Sequence, residues 1–383
     1  MRTTTRRRTT TWAAAGATVA ALCALAIAPA AAAVPGGWES AALGLPAAQR
    51  LSTGKGVTVA VLDTGVVADH ADLKGHVTTG PDYVGDIAAT SDPGWGVHGT
   101  AMASAVLKVA PDAGILSVRV IDEKEHKADT ARSGTSPVAK GVEYAVKHGA
   151  DVIVLSLGDS GQLTQDHNSA EAQTIGYAVS NGVPVVAAAG NSGGGDNSGA
   201  YPAGYPTVIS VAGTGKDGRH APHSTVRTYN AVAAPAVGVT MAKNTGGHTV
   251  ADGTSASAAL ASGVVALMLA DHPKLTPAQV RSVLTSTAHH PAGGHDALVG
   301  YGLIDAAAAV RGAASAPADR TAAVADTGRA HLGTPEGTSR TVHAPMEQDI
   351  WLGGLGAAGA GLLMLAGVAV AARRARGRRA TQF

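Results

Sequence analysis

Cysteine is nearly absent from this chain: the single one, Cys23, falls in an N-terminal apolar run, so the residues beyond it share no disulfide. Stability must then come from a buried core, which a chain of 383 residues is long enough to build. Aromatic residues are scarce at 3%, whereas glycine occurs 50 times. Such a core rests on Ala, Val, Leu and Ile with closely approaching backbones, which suits parallel sheets covered by helices. With 45% hydrophobic and 15% charged residues, the composition excludes an intrinsically disordered chain. The formal charge of +1 conceals an asymmetry. Nine arginines lie in residues 1–33 and 350–383, which carry no acid, so 20 basic residues face 28 acidic ones in 34–349, a balance of −8. That excess of acid argues against a nucleic-acid partner. No internal repeat is present.

The first 33 residues carry Arg2, Arg6, Arg7 and Arg8, then an apolar run from Trp12 to Ile27, then Ala28-Pro29-Ala30-Ala31-Ala32-Ala33. This is the layout of a secretory signal, with cleavage expected near Ala33. A second apolar run, Ile350 to Ala372, holds no charged residue and reaches the length of about 20 residues that a helix needs to cross a bilayer. Arg373, Arg374, Arg376, Arg378 and Arg379 follow at once, which predicts a cytoplasmic tail over 373–383 and an outside location for everything before the span. The ending resembles a cell-wall sorting signal, but the Leu-Pro-x-Thr-Gly motif that sortases cut is missing. Residues 34–53 read as a lead-in, 54–311 as the folded domain, and 312–349, rich in Ala, Pro, Thr and Gly, as a flexible stalk. The expected location is the cell membrane, single-pass, with the folded domain extracytoplasmic.

Within the domain, short β-branched runs alternate with helical stretches, which predicts an α/β fold with a mainly parallel sheet. Strands are expected at Val57 to Leu62, Gly114 to Val120, Val152 to Leu157, Val183 to Ala189 and Val208 to Ala212. Helices are expected at Ser136 to His148, Ala170 to Asn181 and Ser255 to Ala270. In such sheets, functional residues gather where strands end at the carboxyl edge, as Asp63 and Asn191 do.

A hydroxyl is a poor nucleophile at neutral pH unless an imidazole takes its proton, and a carboxylate must fix the tautomer of that imidazole. Asp63-Thr64-Gly65, His98-Gly99-Thr100 and Gly253-Thr254-Ser255 supply acid, base and nucleophile in that order. Ser255 is the candidate nucleophile, placed before an apolar helix whose N-terminus offers free N–H groups to a developing anion. His98 is the candidate general base and Asp63 its support, while the amide of Asn191 is a candidate oxyanion donor. Singly, each has a plain structural reading: Asp63 and Asn191 as loop residues, His98 as one of 15 histidines, Ser255 as a helix cap. Their joint occurrence, each in a small-residue context, overrides those readings. His70 and His76 read as structural or solvent-facing. The order itself excludes two families, because an α/β-hydrolase places Ser first within G-x-S-x-G and a chymotrypsin-like protease places His before Asp.

These segments resemble those of the subtilisin-like serine peptidases, from about Gly54 to Val310. Val59-Ala60-Val61-Leu62-Asp63-Thr64-Gly65, His98-Gly99-Thr100-Ala101-Met102-Ala103 and Asp252-Gly253-Thr254-Ser255 are similar to the family's three catalytic motifs. Ser156-Leu157-Gly158 resembles the strand that pairs with the substrate backbone, and Ala188-Ala189-Gly190-Asn191 the oxyanion segment. The resemblance implies a three-layer α/β fold and a serine endopeptidase of protein or peptide substrates that works without a catalytic metal. It places substrate-binding roles on Ser156, Leu157, Gly158, Ala189 and Gly190, and leaves a structural calcium open. The layout of signal, Trp38-containing lead-in, peptidase domain, stalk, span and basic tail further resembles the mycosins, proteases associated with type VII secretion complexes.

The chain departs from the family pattern at Val97, before the histidine, at Val154, before the Ser-Leu-Gly strand, and at Ser257 and Ala259, after the nucleophile. Only about 29 residues separate the expected cleavage point from Asp63, too few for a folded inhibitory prodomain. The competing class is a scaffold of the same fold that stabilises a membrane secretion complex with secondary or lost proteolysis.

Overall fold

The computed structural model describes residues 37–85, 89–122, 136–158, 169–195, 197, 200–319, 359–368 and 370. The chain divides into two units, Met1–Ala322 and Ala323–Phe383. The expected signal and Cys23, the stalk from 320 onward and the basic tail lie outside the described residues.

In the first unit, seven parallel strands form one sheet in the order β2-β3-β1-β4-β5-β6-β7. They are β1 (Thr58–Asp63), β2 (Val77–Asp82), β3 (Gly114–Arg119), β4 (Val152–Leu155), β5 (Val185–Ala188), β6 (Ile209–Thr214) and β7 (Asn230–Pro235). Side chains alternate between faces along a strand, so both faces of a buried parallel sheet need apolar residues. Val59, Val61, Val152, Val154 and Val186 enter the core on one face, while Ala60, Leu62, Ile153, Leu155 and Val185 enter that on the other.

Helices α3 (Val97–Val109) and α6 (Thr254–Asp271) cover the first face and α4 (Pro137–Lys147) and α5 (Ala170–Ser180) the second, giving three layers. Among the described residues, α6 alone is long and apolar enough to suit a membrane, yet it is the mostly buried central helix of this fold. It packs against α3 and strands β4 to β7, which explains why it is apolar all round.

The antiparallel hairpin β8 (Val239–Ala242) and β9 (His248–Ala251) runs from the end of β7 to the start of α6. Helices α7 (Pro277–Thr287) and α8 (Ala306–Ala313) complete the domain. The lead-in forms α1 (Trp38–Ala42) and α2 (Leu45–Ala48) and is built into the fold. Glu39, fully buried, pairs with the ammonium of Lys108 on α3, and Trp38 Nε1 donates to the Val237 carbonyl at 3.0 Å.

In the second unit the described helix is Gly359–Val368, within the expected span. Its apolar side chains are exposed, from 67% at Val368 to 76% at Leu363.

Candidate active site

From β1 the sheet grows through β3 and β2 on one side and through β4 on the other, so the carboxyl ends of β1 and β4 flank a topological switch point. Asp63 is the last residue of β1 and is fully buried. Its Oδ1 accepts the Thr64 N–H at 2.7 Å, and both carboxylate oxygens lie 2.9 Å from His98 Nδ1. A carboxylate accepts only, so Nδ1 carries the proton and Nε2 is the basic nitrogen. The His98 side chain keeps 30% of its exposure, which leaves the ring open to the cleft.

The two motifs are bolted together. Thr64 Oγ1 accepts the N–H groups of His98 and Gly99, and Thr100 Oγ1 accepts that of Val67. Gly99 is required here because a Cβ at this position would stand 2.1 Å from the Gly65 carbonyl oxygen.

Ser255 sits inside the first turn of α6 rather than ahead of it, with Gly253 as the N-cap at a φ of +151°. The expected position of Ser255 ahead of the helix is thereby corrected: it lies within the helix, and Gly253 takes the cap. Its hydroxyl donates to the Ser156 carbonyl at 3.1 Å, and the Ser156 hydroxyl donates to the Ser255 carbonyl at 3.0 Å. Asn191 Oδ1 accepts from both the N–H and the hydroxyl of Thr254, at 2.9 and 3.0 Å. Those donors fix which end of the amide is oxygen, and Nδ2 becomes the free donor end. The Thr254 N–H goes to Asn191 and the Ala256 N–H to Gly253, leaving the Ser255 N–H between them.

Thr64 and Thr254 are the functional residues that sequence reasoning missed. Thr254 is buried, and its hydroxyl also accepts the Gly190 N–H at 3.1 Å.

His98, Asn191, Ser255, Ser156, Leu157, Gly158 and Gly190 line one cleft of about 580 Å³, in which Ala188 and Ala200 supply further small walls. Ala189 is the exception among the expected residues: its side chain is fully buried with Ala212 and Ala233, and Ala188 takes its place. Of the departures, only Val97 lines the cleft. Val154 lies in the sheet core, Ala259 in the buried stem of α6, and the Ser257 hydroxyl donates to the Ala234 and Pro235 carbonyls at 3.0 Å. His70 and His76 are structural, bonded to the carbonyls of Gly247 and Ala113 at 3.0 Å each. Among the described residues, no group of three or more His, Cys, Asp or Glu side chains is placed to hold a metal ion.

A serine at a helix start, an imidazole on a buried carboxylate and a fixed amide around one cleft are the parts that a serine hydrolase requires. Residues 54–302 match the profile of the Subtilase family. The chain belongs to that family and is a serine-type endopeptidase. It is 36% identical to Subtilisin DY of Bacillus licheniformis over 268 residues, covering 67% of this chain and 92% of that one.

Within the family its likeness extends to the mycosins. Mycosin-1 of Mycobacterium tuberculosis is 36% identical over 340 residues, covering 73% of this chain and 75% of that one. Among solved structures, the MycP3 protease from the type VII (ESX-3) secretion system superposes with a TM-score of 0.63 at 27% identity, covering 74% of this chain and 90% of that one. MycP1 with its N-terminal propeptide removed gives 0.59 at 31% identity, covering 71% and 97%.

Proposed function

We propose that the protein is a membrane-anchored, extracytoplasmic endopeptidase in which Ser255 attacks the peptide carbonyl and forms an acyl-enzyme. His98 Nε2 takes the serine proton and delivers it to the leaving amine. Asp63 holds the Nδ1–H tautomer and stabilises the imidazolium that forms. The Asn191 amide and the Ser255 N–H stabilise the oxyanion, and water then releases the acyl group by the same route in reverse. The observation that carries this reading is the 2.9 Å approach of His98 Nδ1 to both oxygens of the buried Asp63, beside Ser255 in one cleft. The small residues Gly158, Ala188, Gly190 and Ala200 admit the substrate side chain next to the scissile bond.

The membrane part of the proposal follows the domain plan: a signal at 1–33, a lead-in at 34–53, the peptidase domain at 54–311, a stalk at 312–349, a span at 350–372 and a cytoplasmic tail at 373–383. It is supported by the helix Gly359–Val368, whose Leu362, Leu363, Met364 and Leu365 are exposed and would be costly in water. The likeness to mycosin proteases of type VII systems supports a role in processing the components or substrates of such a system. Incubating the full-length chain with a peptide library and reading the products by mass spectrometry tests the activity. Cleavage by the wild type and none by Ser255→Ala is expected, whereas equal cleavage by both would remove the proposal.

A further inference from the structure

Among the described residues that line the cleft, His98 and Asp252 are the ionisable ones, and Asp252 is the acid. Asp252 is exposed, and its Oδ1 accepts the Gly238 N–H at 2.7 Å, which fixes the carboxylate. Among the described residues it makes no ion pair, although Lys216 Nζ packs beside Gly238. The other titratable group facing it is His223, which burial holds below the ordinary histidine value and Asp252 draws upward.

The sheet order says which part of a substrate meets this charge. Ser156 to Gly158 follow the end of β4, Asn191 follows β5, and Asp252 is tied to Gly238 beyond β7. Along the carboxyl edge, the 156–158 segment and Asp252 therefore lie on opposite sides of the oxyanion residue. A chain whose acyl half runs along 156–158 carries its leaving half toward Asp252. Asp252 is three residues from Ser255, a span of at most about 11 Å, while two extended substrate residues reach about 7 Å.

We infer that Asp252 selects substrates with a lysine or arginine at the first or second position after the scissile bond. The inference rests on Ser255 as nucleophile and 156–158 as the acyl-side strand. A carboxylate fixed by a backbone N–H and making no ion pair among the described residues is placed to take a cation from the substrate.

The test uses the full-length chain and paired peptides that differ only at those two positions, carrying Lys, Gln or Glu. For the wild type, kcat/KM for Lys should exceed that for Gln by about three- to fivefold, with the difference in KM and reduced in high salt. Asp252→Asn keeps an acceptor for the Gly238 N–H and should bring the ratio close to one, and Asp252→Lys should favour Glu. A wild-type ratio of one, or a ratio unchanged in Asp252→Asn, overturns the inference. Fluorophosphonate labelling of Ser255 is read in parallel. A chain that labels and cleaves without charge preference overturns the role of Asp252 alone, and one that neither labels nor cleaves overturns both readings.

Discussion

The hydroxyl oxygen of Thr64 accepts the backbone N–H of His98 at 3.2 Å, so the residue after the buried aspartate caps the helix that carries the imidazole. The same oxygen takes the Gly99 N–H at 3.0 Å. Replacing Thr64 by valine keeps the shape and removes the acceptor. The expected cost is about 1 kcal/mol of stability, as for other lost helix caps. Turnover should fall with little change in KM, because the His98 to Asp63 geometry loosens, and Thr64→Ser should restore it. Urea unfolding and steady-state kinetics on the three proteins check this.

Asn191 offers its Nδ2 to the cleft because Thr254 holds its Oδ1 from two sides. Asn191→Ala should lower kcat by about 10²- to 10³-fold, the magnitude known for the oxyanion asparagine of a subtilisin, with KM little changed. Thr254→Val keeps the backbone donor and should cost less. A drop in KM as large as that in kcat would point to another role for Asn191.

The Glu39 to Lys108 pair fastens the lead-in to α3, the helix of His98. Lys108→Met leaves the Glu39 carboxylate buried without its cation and should destabilise the fold by about 3–5 kcal/mol. Exchanging both residues for apolar ones of similar size should recover most of that loss, and the urea midpoints of the two variants decide it.

Burial lowers the pKa of His223, partly opposed by Asp252 and reinforced by His220. A histidine kept neutral in the fold accepts its proton more readily when unfolded, so below about 6.5 the unfolded chain gains protons that the folded one refuses. Its contribution to stability is thus present above that pH and lost as the pH falls. His223→Gln should narrow the difference in melting temperature between pH 7 and pH 5.

How much of this was legible from the sequence depended on where the partner of each residue lay. Strands β1, β3, β5 and β6 could be read because a parallel sheet covered on both faces demands continuous apolar runs. The edge strand β2, Val-Thr-Thr-Gly-Pro-Asp, is polar and half exposed and gives no such signal. The hairpin strand β9, His-Thr-Val-Ala, is equally silent. The strand expected to reach Leu157 stops at Leu155, because Ser156 to Gly158 leave the sheet to line the cleft, and hydrophobicity does not register that departure.

Asp63, His98, Asn191 and Ser255 stood out because the proposed chemistry needs those residue types. Thr64 and Thr254 did not, since a threonine hydroxyl reveals its task only through partners 34 and 64 residues away. Ala189 was misplaced for a related reason: alternation in and beyond β5 turns every second side chain away from the cleft, and a run of alanines does not say which.

The most direct measurement is the reaction of the full-length protein with a fluorophosphonate probe, followed by mass mapping of the modified peptide. An adduct on Ser255, lost in Ser255→Ala and strongly slowed in His98→Ala, is the predicted result. Labelling of another residue, or labelling of Ser255 at the same rate without His98, would contradict the assignment of Ser255 as a nucleophile activated by His98.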